Sequence, residues 1–136
     1  MVAPEEIYSV DCDVFSPCAL GSILNAETLG KLRTSIVCGC ANNQLASPDI
    51  AAALAARNIL YAPDYLVNAG GLIRGAEFYL LQRADSHPSL ARLYERMQRV
   101  IRLAQESKRS TARVADELAE TRLKCGKTFS ECFWGG

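Results

Sequence analysis

Short, mainly apolar blocks broken by polar turns set the pattern of this chain. Cys12 to Phe15 is closed by Ser16-Pro17, and Ser35 to Cys40 leads into the polar turn Asn42-Asn43-Gln44. Both blocks predict short strands, and Asn58 to Ala62 predicts a third. Between them, Ala26 to Leu32 predicts a helix with Asn25 as its cap. Pro48 to about Arg57 predicts an alanine-rich helix capped by Ser47. Pro4-Glu5-Glu6 predicts the first turn of a short helix, where proline forfeits no intrahelical bond and carboxylates suit the positive end. Such β–loop–α alternation, with little polar alternation inside the strands, predicts an α/β fold with parallel pairing and helices on both faces.

From residue 69 onward the pattern turns helical. One helix is expected over 69–81 despite Gly70, Gly71 and Gly75. A second is expected from Pro88 to about Ser107, where Leu90, Leu93, Met97, Val100, Ile101 and Ala104 recur at helical spacing. A third, Thr111 to Lys124, presents Val114 and Leu118 beside Ala119 or Arg122. No internal repeat is visible. Three strands followed by three helices resemble half of an open sheet with a helical appendage, so at least one strand edge needs a partner or a cover.

With 136 residues, 49% of them hydrophobic, the chain holds one ordinary domain and a core. Its 15 basic and 15 acidic side chains cancel, which removes the global electrostatic case for nucleic acid. No apolar run approaches the roughly 20 residues of a membrane helix. The opening Met-Val-Ala-Pro-Glu-Glu has neither a basic start nor an apolar signal core, so the expectation is a cytoplasmic protein. The neutral total hides a polarity: residues 1–30 carry five acids and no base, whereas residues 83–113 carry eight bases and three acids. Arg92, Arg96, Arg99 and Arg102 form a stripe within the basic half. With Glu95 nearby and the apolar face elsewhere, it reads as a solvated or subunit-facing surface rather than a nucleic-acid groove.

Six cysteines are present. Cys12, Cys18, Cys38 and Cys40 sit in apolar company, and with no secretory signal they are expected to be reduced and mostly buried. Cys38-Gly39-Cys40 lacks a second ligand pair at useful spacing, so no metal site is expected. The lone histidine, His87, precedes a proline-started helix and reads as a cap or surface residue. Asp64 follows a strand end but stands after Pro63, first of all a turn position.

Ligands of open α/β sheets bind at the carboxyl ends of the strands. Three loops of small and polar residues fall there: Ser16 to Gly21, Cys40 to Gln44, and Ala62 to Gly71. Paired asparagines donate and accept without charge, which suits an amide or a carboxylate. Gly70-Gly71 could bring backbone N–H groups close to an anion. Capping explains Asn42 or Asn43 equally well, and a tight bend explains the glycines. Neither Gly-x-Gly-x-x-Gly nor a P-loop occurs.

Three blocks carry a family resemblance. They are the stretch Pro4 to Gly21 ending Phe-Ser-Pro-Cys-Ala-Leu-Gly, the segment Ala41-Asn-Asn-Gln-Leu45, and Tyr61-Ala-Pro-Asp-Tyr-Leu-Val-Asn-Ala-Gly-Gly71. In order and separation they resemble the later coenzyme-domain segment of the leucine/phenylalanine/valine branch of the amino-acid dehydrogenases. Ser110 to Glu120 resembles the carboxyl-terminal helices of that branch, and the likeness runs from about Pro4 to Leu123. It implies a partial Rossmann-like coenzyme domain. It also implies NAD as cofactor and reversible oxidative deamination of an apolar L-amino acid to a 2-oxo acid and ammonia. By resemblance, Cys18 and Ala19 lie beside the cofactor ribose and nicotinamide, and Asn43 beside the nicotinamide region. Asn42 holds the substrate carboxylate, Leu72 and Gly75 line the side-chain pocket, and Asn68 belongs to the loop supporting it. Gly75 stands where the leucine-type enzymes carry an aliphatic side chain.

The resemblance also sets limits. The family's substrate domain, with its two lysines and catalytic aspartate, and the glycine-rich first half of its coenzyme domain have no counterpart here. Lys31, Lys108 and Asp64 do not take those roles, and no catalytic residue is assigned. The expected organisation is residues 1–81 as the second half of an NAD-binding domain and residues 82–124 as a helical region packing on it. Residues 125–136 form an atypical tail, either frayed or docking Phe129, Phe133 and Trp134 on an apolar surface. The chain is expected to be inactive by itself, the missing domain or another subunit completing a homo-oligomeric parent. The competing reading is a noncatalytic interaction module derived from such an enzyme.

Overall fold

The computed structural model of the chain describes residues 2–124. A 3-10 turn, Pro4–Ser9, precedes strand β1 (Cys12–Phe15). Then follow α1 (Ala26–Lys31), β2 (Thr34–Val37), α2 (Pro48–Ala56), β3 (Leu60–Tyr61) and four helices. These are α3 (Asp64–Val67), α4 (Gly70–Leu81), α5 (His87–Ser107) and α6 (Thr111–Lys124). The strands form one parallel sheet in the order β1-β2-β3, with Cys12 opposite Thr34, Phe15 opposite Val37, and Val37 opposite Tyr61. The sequence pattern therefore gives the three strands and their parallel sense, and the structure adds their order.

Phe15, Val37 and Tyr61 from the strands meet Leu24, Leu32, Ile50, Leu54 and Ile59 in the sheet core. The alanines of α2 keep that helix close to the sheet. A second cluster, Val100 and Ala104 of α5 with Val114 and Ala115 of α6, welds the last two helices. The Asn25 side-chain Oδ1 accepts from the Glu27 and Thr28 backbone amides at 3.0 Å each, and the Thr28 hydroxyl accepts from the Asn25 backbone amide at 3.0 Å. Asn25→Ala is expected to cost about 1 kcal/mol, read as a lowered urea midpoint at unchanged slope.

Four expectations are corrected. The second strand begins at Thr34 and stops at Val37, because the chain beyond it bends beneath Pro17. The third is two residues long rather than five. Asn58 adopts φ 57°, its N–H donates to Ala55, and the Ile59 N–H donates to Leu54. These bonds close α2 in a left-handed cap and delay the strand. Ser47 holds the cap position of α2 without a side-chain bond, leaving Pro48 as the start signal. Finally, Cys12, Cys18 and Cys40 are exposed and Cys38 half-buried. They sit on the edge strand or just past strand ends, where no helix covers them. All four thiols are free. The tail expected from Cys125 onward lies outside the described residues.

A buried acid, which the sequence pattern does not mark as important, joins α4 to α5. Glu77 is 2% exposed and accepts from the Ser89 hydroxyl at 2.6 Å, and Arg92 donates to the same hydroxyl at 2.8 Å. The Ser89 hydroxyl, then the Ser86 hydroxyl and the charges of Arg83 and Arg92, hold the carboxyl below its ordinary pKa against the opposing effect of burial.

Candidate functional site

Loops gather at the carboxyl ends of the three strands and are tied to one another through their backbones. The Cys38 amide donates to the Phe15 carbonyl at 3.0 Å and the Ala41 amide to the Pro17 carbonyl at 2.9 Å. Gly39 passes so close to Pro17 that a Cβ there would stand 2.1 Å from the Pro17 carbonyl oxygen. Further on, Ser22 donates to the Asn43 carbonyl at 2.6 Å, and a parallel bridge pairs Leu24 with Leu45. Asn43 reaches this position with φ 53°, a conformation asparagine tolerates better than most residues.

Gln44 and Asp64 hold these loops from inside. Gln44 is fully buried, and its amide nitrogen donates to the Gly39 and Ala41 carbonyls at 2.8 and 2.9 Å. Its backbone N–H meets one Asp64 oxygen at 3.2 Å, while the other accepts from the Tyr65 amide at 2.7 Å. Asp64 thus links the loops after β2 and β3 and opens the short helix α3, which the sequence reading leaves as loop. Burial first, then the Asp64 carboxylate, pushes the Tyr61 phenol upward. Sequence reasoning passes over Gln44 as one more polar turn residue. Its only signal is a long amide following two asparagines.

Asn42 and Asn68, 26 residues apart, are brought together. The Asn68 amide nitrogen donates to the Asn42 carbonyl oxygen at 2.6 Å and lies 3.4 Å from the Cys40 carbonyl. That carbonyl fixes which end of Asn68 is the donor, and so which end of Asn42 is engaged. The Asn42 NH2 group, two donors, has no protein partner among the described residues. Asn43 shares no hydrogen bond with this pair. Its side chain borders a different hollow, alongside Tyr61, Asp64, Arg113 and Asp116.

Cys18 and Ala19 are exposed at the turn after β1. The Cys18 sulfur lies 3.4 Å from the Ser16 hydroxyl. Leu72 and Gly75, three residues apart, share one face of α4. Leu72 is 72% exposed, and a Cβ at Gly75 would meet nothing within 4 Å. His87 is exposed at the start of α5, its amide donating to Asp85 at 2.9 Å. The arginine stripe is not uniformly solvated: Arg92 and Arg96 are half-buried, and Arg96 and Arg99 join Arg122 around a hollow of about 180 Å³ that Tyr65 and Leu66 also line. Among the described residues no group of three or more His, Cys, Asp or Glu side chains could hold a metal, and no helix is long and apolar enough to cross a membrane.

A parallel sheet with helical cover and small-residue loops at its strand ends defines a partial Rossmann-like α/β domain. The chain belongs to the Glutamate/Leucine/Phenylalanine/Valine dehydrogenase family, whose model matches residues 1–124. It is 43% identical over 124 residues to a phenylalanine dehydrogenase of Caldalkalibacillus thermarum and 38% identical over 124 residues to a leucine dehydrogenase of Geobacillus stearothermophilus. Each match covers 90% of this chain and 34% of the relative, so the chain spans about a third of the length of those proteins. The crystal structure of L-tryptophan dehydrogenase from Nostoc punctiforme superposes with a TM-score of 0.79 at 39% identity, covering 90% of this chain and 37% of that one.

Proposed function

We propose that the chain is the carboxyl-terminal part of an NAD-dependent dehydrogenase that deaminates an apolar L-amino acid oxidatively and reversibly. In this reading residues 1–81 are the second half of the coenzyme domain and residues 82–124 its packing helices. The observation that carries it is the Asn42 amide, held by Asn68 so that its two donors stay free at the strand ends. An α-amino acid offers a carboxylate, and a carboxylate needs donors.

Cys18, Ala19 and Asn43 would hold the nicotinamide end of NAD. Fit is supported by the close backbone approach at Gly21, where a Cβ would stand 2.9 Å from the Asn42 backbone oxygen, and by the small exposed residues beside it. When bound, the nicotinamide supplies the hydride acceptor. This chain's part is positioning: Asn42 anchors the carboxylate, Asn68 fixes Asn42, and Leu72 and Gly75 shape the side-chain pocket. The proton-transfer and carboxylate-binding lysines would come from the rest of a subunit in an oligomeric parent. The 136-residue chain alone is therefore expected to give no amino-acid-dependent rise in nicotinamide absorbance.

Two substitutions in the complete enzyme test the assignment. Asn42→Ala removes a bond to a charged group common to all substrates, and kcat/KM is expected to fall about 10- to 100-fold for phenylalanine and valine alike. Gly75→Val fills the open space on α4. It is expected to lower kcat/KM for phenylalanine by about 10-fold or more while sparing valine. Selective loss with Asn42→Ala, or equal loss with Gly75→Val, would remove the residue concerned from its role.

A further inference from the structure

The β1–β2 ladder pairs Cys12 with Thr34, Val14 with Ile36 and Phe15 with Val37. Continued at the same step past the strand ends, this register sets Cys18 opposite Cys40. The loops stay in contact beyond the ladder: the Cys38 amide bonds Phe15, the Ala41 amide bonds Pro17 one residue out of that register, and Gly39 lies against Pro17, so both neighbours of Cys40 touch the residue before Cys18. Parallel neighbours run about 4.8 Å apart, inside the roughly 4.4–6.8 Å between Cα atoms that a disulfide spans. Directly opposed residues of a parallel pair also send their side chains to the same face of the sheet. The Cys18 and Cys40 thiols perturb each other's ionisation, Cys18 downward and Cys40 upward. Both residues are exposed. By the same register Cys12 faces Thr34 and Cys38 faces Ser16, so neither has a thiol opposite it.

We propose that Cys18 and Cys40 form a reversible disulfide that staples the loop after β1 to the loop after β2 when the chain meets a peroxide. Cys18 is the attacking sulfur. The Cys40 backbone amide, the Ser16 hydroxyl and the Cys40 thiol hold its pKa down, whereas the Cys40 thiol is raised by its neighbour. The Cys18 thiolate attacks one peroxide oxygen and the O–O bond breaks. The departing hydroxide takes a proton to become water, and Cys18 is left as a sulfenic acid. The Cys40 sulfur then attacks the Cys18 sulfur. The S–S bond forms, the S–O bond breaks, and hydroxide leaves with the Cys40 proton as a second water. Two thiols have lost two electrons and the peroxide has gained them. A small dithiol reverses the change by exchange. Little movement is required, because the backbone bonds already hold the two loops together. The pairing follows from the contact between the two loops and stands independently of the dehydrogenase reading.

The test is mass spectrometry of the reduced 136-residue chain after hydrogen peroxide, alkylation of remaining thiols and digestion without reductant. The expected result is one dominant cross-linked peptide joining Cys18 to Cys40, lost after dithiothreitol. In Cys40→Ser the link is expected to vanish while Cys18 becomes trappable by dimedone as a sulfenic acid. Cys12→Ser and Cys38→Ser are expected to leave the link intact. The same oxidation in guanidinium controls for chance pairing, and there the preference should disappear. Recovery of both Cys18 and Cys40 as alkylated thiols would overturn the proposal. So would an even scatter of links among the six cysteines, or equal preference in the folded and denatured chain.

Discussion

Gly39→Ala is expected to destabilise the chain by about 3 kcal/mol, at the upper end of what overpacking costs. The added methyl would stand 2.1 Å from the Pro17 carbonyl oxygen and 2.5 Å from the Pro17 nitrogen. Both are backbone atoms, so no rotamer change relieves the clash, and the loops after β1 and β2 must part. Gly30→Ala is the matching control. Its Cβ would meet nothing within 4 Å and it lies in α1, so alanine there should stabilise by about 0.5–1 kcal/mol. Urea unfolding of the two variants reads the contrast directly. Opposite signs are expected, and a Gly39 variant as stable as the parent would mean that the loops do not meet as described.

Gln44→Leu is expected to cost about 2–6 kcal/mol. Leucine keeps much of the volume but leaves the Gly39 and Ala41 carbonyls without their buried donor, and each orphaned group costs about 1–3 kcal/mol. The same substitution should loosen Asn42, two residues away, so hydrogen exchange at the Ala41 and Asn42 amides should accelerate more than at Val37 in the sheet. A stability change below about 0.5 kcal/mol, the size expected of an ordinary surface substitution, would show that the amide is not buried in this role.

The sheet was legible in the sequence because short apolar blocks bounded by Pro, Ser and Asn leave few alternatives to strands. The long helices were legible because Leu90, Leu93, Met97, Val100 and Ala104 keep helical spacing over many turns. The exposure of the cysteines was not. Apolar company along the chain does not reveal that β1 lies at an edge or that Cys18 and Cys40 follow strand ends. The bond between Asn42 and Asn68 depends on how far two loops project from the sheet, which no local pattern encodes. Glu77 and Gln44 mislead in a common way. Polar side chains read as solvated, yet both are buried, Gln44 donating to the Gly39 and Ala41 carbonyls and Glu77 accepting from Ser89 on the next helix. Glu77 did leave a trace, as the one acid in the otherwise apolar or basic run Gly70 to Leu81.

The sheet order decides how this chain could add to another. β3 points its Tyr61 carbonyl away from β2, and the Thr111 hydroxyl at the start of α6 occupies that carbonyl. That flank is plugged. β1 is the more open flank: three of its four residues are exposed and no strand lies on its outer side, although the Thr34 hydroxyl takes the Asp13 carbonyl. Growth of a parallel sheet copy upon copy would join the first strand of one molecule to the third strand of the next, and the plugged flank forbids it. A further strand joins this sheet at β1, the edge that the first half of the proposed coenzyme domain would take.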